Sequence, residues 1–247
     1  MKLITSTDLK HWAATIESKN LLPLLIRKLI LAGVDLQHLK KIEFPFGDDV
    51  NTGGFDGDLE SEEGNLYIPS GNSVWEFGVT ERKKEKANKD YDSRKKNPLG
   101  KIPSETTYIS VTLKKYTKKT EWADKKKEEG FWSDVRFYDA VDLEHWLELA
   151  PSVEIWLARH LKKPVSGVQC GEDYWEQWST KGSLKFPNGL LVESRLQQKT
   201  TLIEILKKNS GQIQYVKANT KEESLAFILA TIENQEAELK DSLRTKH

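Results

Sequence analysis

One cysteine, Cys170, is all the chain of 247 residues contains. An intrachain disulfide and a Cys-based zinc cluster are therefore excluded. The five histidines lack the His-Glu-x-x-His spacing of a zinc protease. No apolar run approaches the ~18 residues of a bilayer span, and the start of the chain has no apolar signal-type core. These absences predict a cytoplasmic protein with no membrane partner. Formal net charge is zero, which argues against the whole surface acting as a polyanion binder. Gly100-Lys101 is not a phosphate-binding loop, because Lys95 stands where Gly is needed and no Ser or Thr follows Lys101. Ser/His/Asp nucleophile signatures are missing as well.

What is present is a chain with material for a core. Hydrophobic residues make up 37%, with eight Trp, seven Tyr and eight Phe. Ser6 and Thr7 are candidate caps for a first helix carrying Leu9, Trp12, Ala13 and Ile16, which Asn20 breaks. Pro23 is expected to open a second. Strands are predicted at Lys41–Phe46, Phe55–Glu60, Leu66–Pro69, Val74–Phe77, Thr106–Leu113 and Asp134–Tyr138. Helices are predicted at Glu81–Lys96 and Glu121–Glu129, after an Asp142 cap, and after Pro151. The order predicts a mixed α/β or α+β sheet with helices on both faces, read here as α/β. The first domain is placed at 1–163 and a linker at 164–171. A small α/β extension is placed at 172–247, with strands at Gly189–Glu193 and Gln212–Lys217 and helices at Gln197–Lys207 and Glu222–Glu233. The polar final helix suggests the front part of a longer protein.

The chemistry concentrates between Gly54 and Arg94. Asp56 lies in Gly54-Phe55-Asp56-Gly57-Asp58, where the glycines allow tight backbone geometry and close ligand approach. Glu76 lies in Ser73-Val74-Trp75-Glu76-Phe77-Gly78, an apolar strand in which an unpaired carboxylate is costly. Acids on neighbouring strands can hold Mg²⁺, and a lysine nearby can support phosphoester cleavage. The alternative is a pair of acids that are solvated or bound to lysines. Asp58 ranks below Asp56, being expected on the opposite sheet face.

This pattern resembles the PD-(D/E)xK restriction-endonuclease-like superfamily, across roughly residues 8–160. The resemblance implies a mixed central sheet flanked by helices and Mg²⁺-dependent hydrolysis of DNA, with Mn²⁺ as a substitute metal. Asp56 and Glu76 are then the metal ligands. The superfamily places its lysine two residues after the second acid, where this chain has Gly78. Some members supply the lysine from the next helix, which points to Lys86 in Lys86-Ala87-Asn88-Lys89-Asp90-Tyr91. Some add a Glu from the first helix, which makes Glu17 a candidate third ligand beside the plain reading of a solvated helix glutamate. The wider run, including Trp132-Ser133-Asp134-Val135-Arg136, resembles nuclease modules at the front of large bacterial defence proteins.

Lys83, Lys84, Lys89 and Arg94, within the basic run 82–127, are the candidate nucleic-acid contacts. A merely solvated charged face is the other reading. The expectation is a DNA endonuclease of low sequence specificity, acting in anti-phage defence as a homo-oligomer. The alternatives are a nuclease fold that binds DNA without cutting it, and a protein-interaction or sensor module.

Overall fold

The computed structural model describes residues 2–46, 54–165, 171–208, 215–236, 239, 240 and 243. The chain divides into two compact units, 1–164 and 165–247.

The first unit opens with α1 (Ser6–Trp12) and α2 (Ile16–Gly33). Thr5 caps α1, rather than Ser6 or Thr7. Its hydroxyl accepts from the Asp8 amide while the Asp8 carboxylate accepts from the Thr5 amide, a reciprocal capping box. The helices part at 13–15, not at Asn20. There the Thr15 hydroxyl donates to the Trp12 carbonyl and accepts from the Ser18 amide, capping α2. Pro23 sits inside α2 instead of opening it, at the loss of one backbone hydrogen bond.

Five strands follow, β1 (Leu39–Glu43), β2 (Gly57–Ser61), β3 (Gly71–Gly78), β4 (Thr106–Thr112) and β5 (Asp134–Tyr138), in spatial order β1-β2-β3-β4-β5. The first three pair antiparallel and the last three parallel. The sheet is therefore mixed. Its parallel half needs crossovers, which α3 (Lys83–Lys96) and α4 (Lys119–Glu128) supply. α5 (Ala140–Glu148) and α6 (Pro151–His160) close the unit. Leu66–Pro69, expected as a strand, is a loop folded around Asn65, whose side chain accepts from the amides of Tyr67 and Ile68, both at 3.0 Å. β3 begins earlier than expected because Gly71 takes φ +81°, open to glycine, and pairs at once with Ser61. α5 is capped by Asp139, and Asp142 plays the reciprocal role instead of capping.

Alternation along β3 sends its side chains to two different cores. Val74 joins Tyr108, Val135 and Phe137 beneath Ala87 and Tyr91 of α3 and Trp122 of α4. Trp75, fully buried, points the other way and packs with Phe44, Tyr138 and Trp146 at ring separations of 5.8, 6.1 and 6.4 Å.

In the second unit the regular elements among the described residues are helices, including α7 (Gly171–Ser179), α8 (Asn188–Val192), α9 (Leu196–Lys208) and α10 (Lys221–Glu233). The expected α/β character is not found among them. Gly189–Glu193 is not a strand, because its apolar run turns as α8 and buries Leu191 and Val192 against Trp175, Leu202 and Phe227. Of the other expected strand, 212–214 lie outside the described residues and 215–217 are not in a strand. No helix among the described residues is long and apolar enough to cross a membrane.

Gly57 is required by packing. A Cβ there would lie 2.3 Å from Cε1 of Phe44, whose ring is itself held against Trp75 and Phe77. Gly57→Ala is expected to cost about 1–3 kcal/mol in chemical denaturation, the usual cost of overpacking. Pairing it with Phe44→Leu should recover part of that loss. An unchanged midpoint for Gly57→Ala would show that this corner yields freely.

Candidate functional site

Glu76 points to the α3 side of the sheet, in line with Val74, and is only 4% exposed. A carboxylate at that depth needs partners. The nearest comes from α3, whose sheet-facing stripe is legible from Ala87 and Tyr91, four residues apart and both buried. The same stripe carries Asp90 and Arg94 inward. Arg94 Nε donates to Glu76 Oε1, and Arg94 Nη2 donates to the Gly54 carbonyl. Its guanidinium also lies 4.9 Å from the Phe55 ring centre. One arginine thus ties together the chain entering β2 and the acid on β3.

Asp56 stands one residue before β2. Gly57 is in register with Trp75, so Asp56 arrives beside Glu76 and Phe77. Its Oδ2 accepts from the Phe77 amide at 2.7 Å, and it makes no ion pair among the described residues. Of the two neighbouring glycines, Gly54 takes φ +124° with open space around it, whereas Gly57 makes room for the Phe44 ring rather than for a ligand.

Lys86 lies one turn into α3 and pairs with Asp90. Its side chain runs across Gly78, where an added Cβ would lie 3.3 Å from Lys86 Cγ. The space above position 78 is thus occupied by a lysine stem that starts on the helix. Asp90 was not among the expected site residues. Its signals are the four-residue spacing from Lys86 and its adjacency to the buried Tyr91. Tyr108, in register with Val74 on β4, also belongs to this neighbourhood. Its hydroxyl is buried without a hydrogen-bond partner among the described residues.

The electrostatics follow from depth and crowding. Burial, and then the charge of Asp56, push the Glu76 carboxyl up to about 8, against the opposing pull of Arg94. Burial also raises Asp90, although Lys86 holds it down in part. Burial first, then the negative charges of Glu76 and Asp90, push the Tyr108 phenol well above its usual range.

The remaining expected residues are not all gathered here. Glu17 is exposed in the first turn of α2 and joins no acidic group around Glu76. Among the described residues no three His, Cys, Asp or Glu side chains are arranged to hold a metal ion. Asp58 is committed elsewhere, bonded to Lys41 and Lys101 at 2.7 Å each. Asp58 is in register with Val74, which shares a face with Glu76, so its ion pairs set it apart from Asp56, not an opposite orientation. The basic run divides into two parts. On α4 and its flanks, Lys119, Lys125, Lys126 and Lys127 are neutralised by acids. On α3, Lys83, Lys84 and Lys89 make no ion pair among the described residues, and Lys84 and Lys89 are exposed.

A divalent cation can be tested against this donor set. Asp56, Glu76 and Asp90 outnumber Lys86 and Arg94 by one charge when all are ionised. The available donors are oxygens, as Mg²⁺ requires. Asp56 and Glu76 are the two carboxylates that would hold such a cation, once Arg94 gives up Glu76 Oε1. Comparison with protein-family models, with curated proteins and with solved structures finds no match.

The raised Glu76 fixes the sign of a pH effect. Between its ordinary value of 4.5 and about 8, the folded state holds a proton that the unfolded state has released. Stability falls as pH rises through that window. Glu76→Gln removes this group, so its melting temperature should fall less than that of the parent protein between pH 5 and pH 9 in metal-free buffer. Parallel curves for the two proteins would contradict the assignment.

Proposed function

We propose that the first unit is a restriction-endonuclease-like, metal-dependent nuclease that hydrolyses DNA phosphodiesters. The observation that carries this reading is that Asp56, at the entry to β2, arrives beside Glu76 of β3, with Lys86 laid across Gly78. When bound on Asp56 and Glu76, Mg²⁺ or Mn²⁺ would supply Lewis-acid stabilisation of the charge on the phosphate. The chain's own groups do the rest. The Phe77 amide holds Asp56 in one orientation. Asp90 steadies the Lys86 ammonium, whose positive charge counters the negative charge that builds on the phosphoryl oxygens as water attacks phosphorus. Lys83, Lys84 and Lys89 lie along the same helix and would follow the phosphate backbone, which positions the substrate without reading bases. That arrangement suits cleavage of low sequence specificity. A cytoplasmic defence effector acting as a homo-oligomer is the setting we assign to it, because one site per chain cuts one strand.

A second reading has its own observation. Arg94 is bonded to Glu76, and an acid neutralised in this way suits a nuclease fold that binds nucleic acid without cutting it. A plasmid nicking assay in Mg²⁺ or Mn²⁺, with EDTA as control, separates the two. Asp56→Asn, Glu76→Gln and Lys86→Met are each expected to lower cleavage by about 10²-fold or more, the scale of losing a principal stabilising charge, while DNA retention in a gel shift persists. Metal-dependent nicking that survives Glu76→Gln would overturn the site. Binding without nicking by the unaltered protein would favour the second reading.

A further inference from the structure

We propose that Arg94 is a positioning residue that serves as an internal stand-in for the divalent cation, and that it must release Glu76 when the cation binds. The inference rests on the metal-dependent reading above and concerns how the site is held before loading. The same guanidinium makes three contacts with three different parts of the site, the Glu76 carboxylate, the Gly54 carbonyl and the Phe55 ring. Only the first of these competes with a metal. The other two lie on the segment entering β2 and keep the side chain at the rim once Glu76 is given up. Glu76 is 4% exposed and Arg94 is itself mostly covered, so bulk water cannot take over the arginine's role. Arg94 is the one cation paired with Glu76 among the described residues, and an ionised carboxylate stripped of it at this depth is strongly disfavoured. On the ionised carboxylate the exchange of arginine for metal is therefore direct. Two positive groups on one buried carboxylate repel. Lys86 does not duplicate this role, because its ammonium is spent on Asp90.

The exchange predicts a gain where a merely structural arginine would show none. Mg²⁺ binding to the full chain is measured by titration calorimetry without nucleic acid, on the unaltered protein, Arg94→Gln and Arg94→Lys, each first checked for folding by circular dichroism. Arg94→Gln is expected to bind Mg²⁺ about tenfold more tightly or better, the scale for removing one competing charge a few ångströms away. Arg94→Lys, which keeps the charge, should stay near the unaltered protein. A second measurement uses the unaltered protein alone, in case Arg94→Gln does not fold. In nuclear magnetic resonance, the Arg94 Nε–H signal should be protected from exchange without metal and lose that protection as Mg²⁺ saturates the site. Equal or weaker Mg²⁺ binding by folded Arg94→Gln would overturn the proposal and leave the metal site standing, as would a signal that stays protected at saturation. If neither the unaltered protein nor Arg94→Gln binds Mg²⁺, the metal-dependent reading fails and this inference fails with it.

Discussion

The structure of the first unit depends on the cost of burying one carboxylate. Glu76 sits toward the end of the central strand β3, between Trp75 and Phe77, with almost no exposure. An isolated charge in such a place loses solvation that a hydrophobic core does not return. α3 supplies the compensation. It places Arg94 on Glu76, Asp90 beside it and Lys86 across Gly78, while Ala87 and Tyr91 dock the same helix onto the sheet. The packing of α3 and the electrostatics of the site are one arrangement. The helix has few apolar residues, so charge pairing and the buried Tyr91 must hold much of its register.

The opposite sheet face makes that arrangement possible. Trp75, Phe44, Tyr138 and Trp146 form an aromatic layer that fixes β3 from behind. Gly57 yields its side-chain volume to Phe44, and this lets β2 approach closely enough for Asp56 to accept from the Phe77 amide. The hydrogen bond then fixes a carboxylate at the entry to one strand close enough to feel the charge of a carboxylate within the next. Precision of this kind is what a site built on a sheet gains over one built on loops.

Much of this was legible from the chain. β4 was visible because Thr, Tyr, Ile and Val crowd into one short run, and β5 because its boundaries coincide with its alternation. Glu76 stands out because an acid is rare within an apolar strand, and Asp56 because glycines bracket it. Other features depended on tertiary context. Gly71 looked like a turn residue, yet its positive φ starts β3 directly. Leu190, Leu191 and Val192 form a short apolar run that periodicity cannot assign, and packing in the second unit turned it into helix. Glu17 had only its place on an early helix in its favour, and that place leaves it exposed. Asp90 is not legible as a site residue, because an acid among lysines on a polar helix reads as surface. Only the i, i+4 relation to Lys86 and the depth of Tyr91 separate it from Asp92, which is exposed.

The central claim is that Asp56 and Glu76 together hold a divalent cation. Crystals of the protein equilibrated with Mn²⁺, with anomalous scattering recorded at the manganese edge, test it directly. The account predicts a single strong peak between the Asp56 and Glu76 carboxylates, with oxygen ligands at about 2.0–2.3 Å. An absence of anomalous signal there at saturating Mn²⁺, with Arg94 still bonded to Glu76, would contradict it.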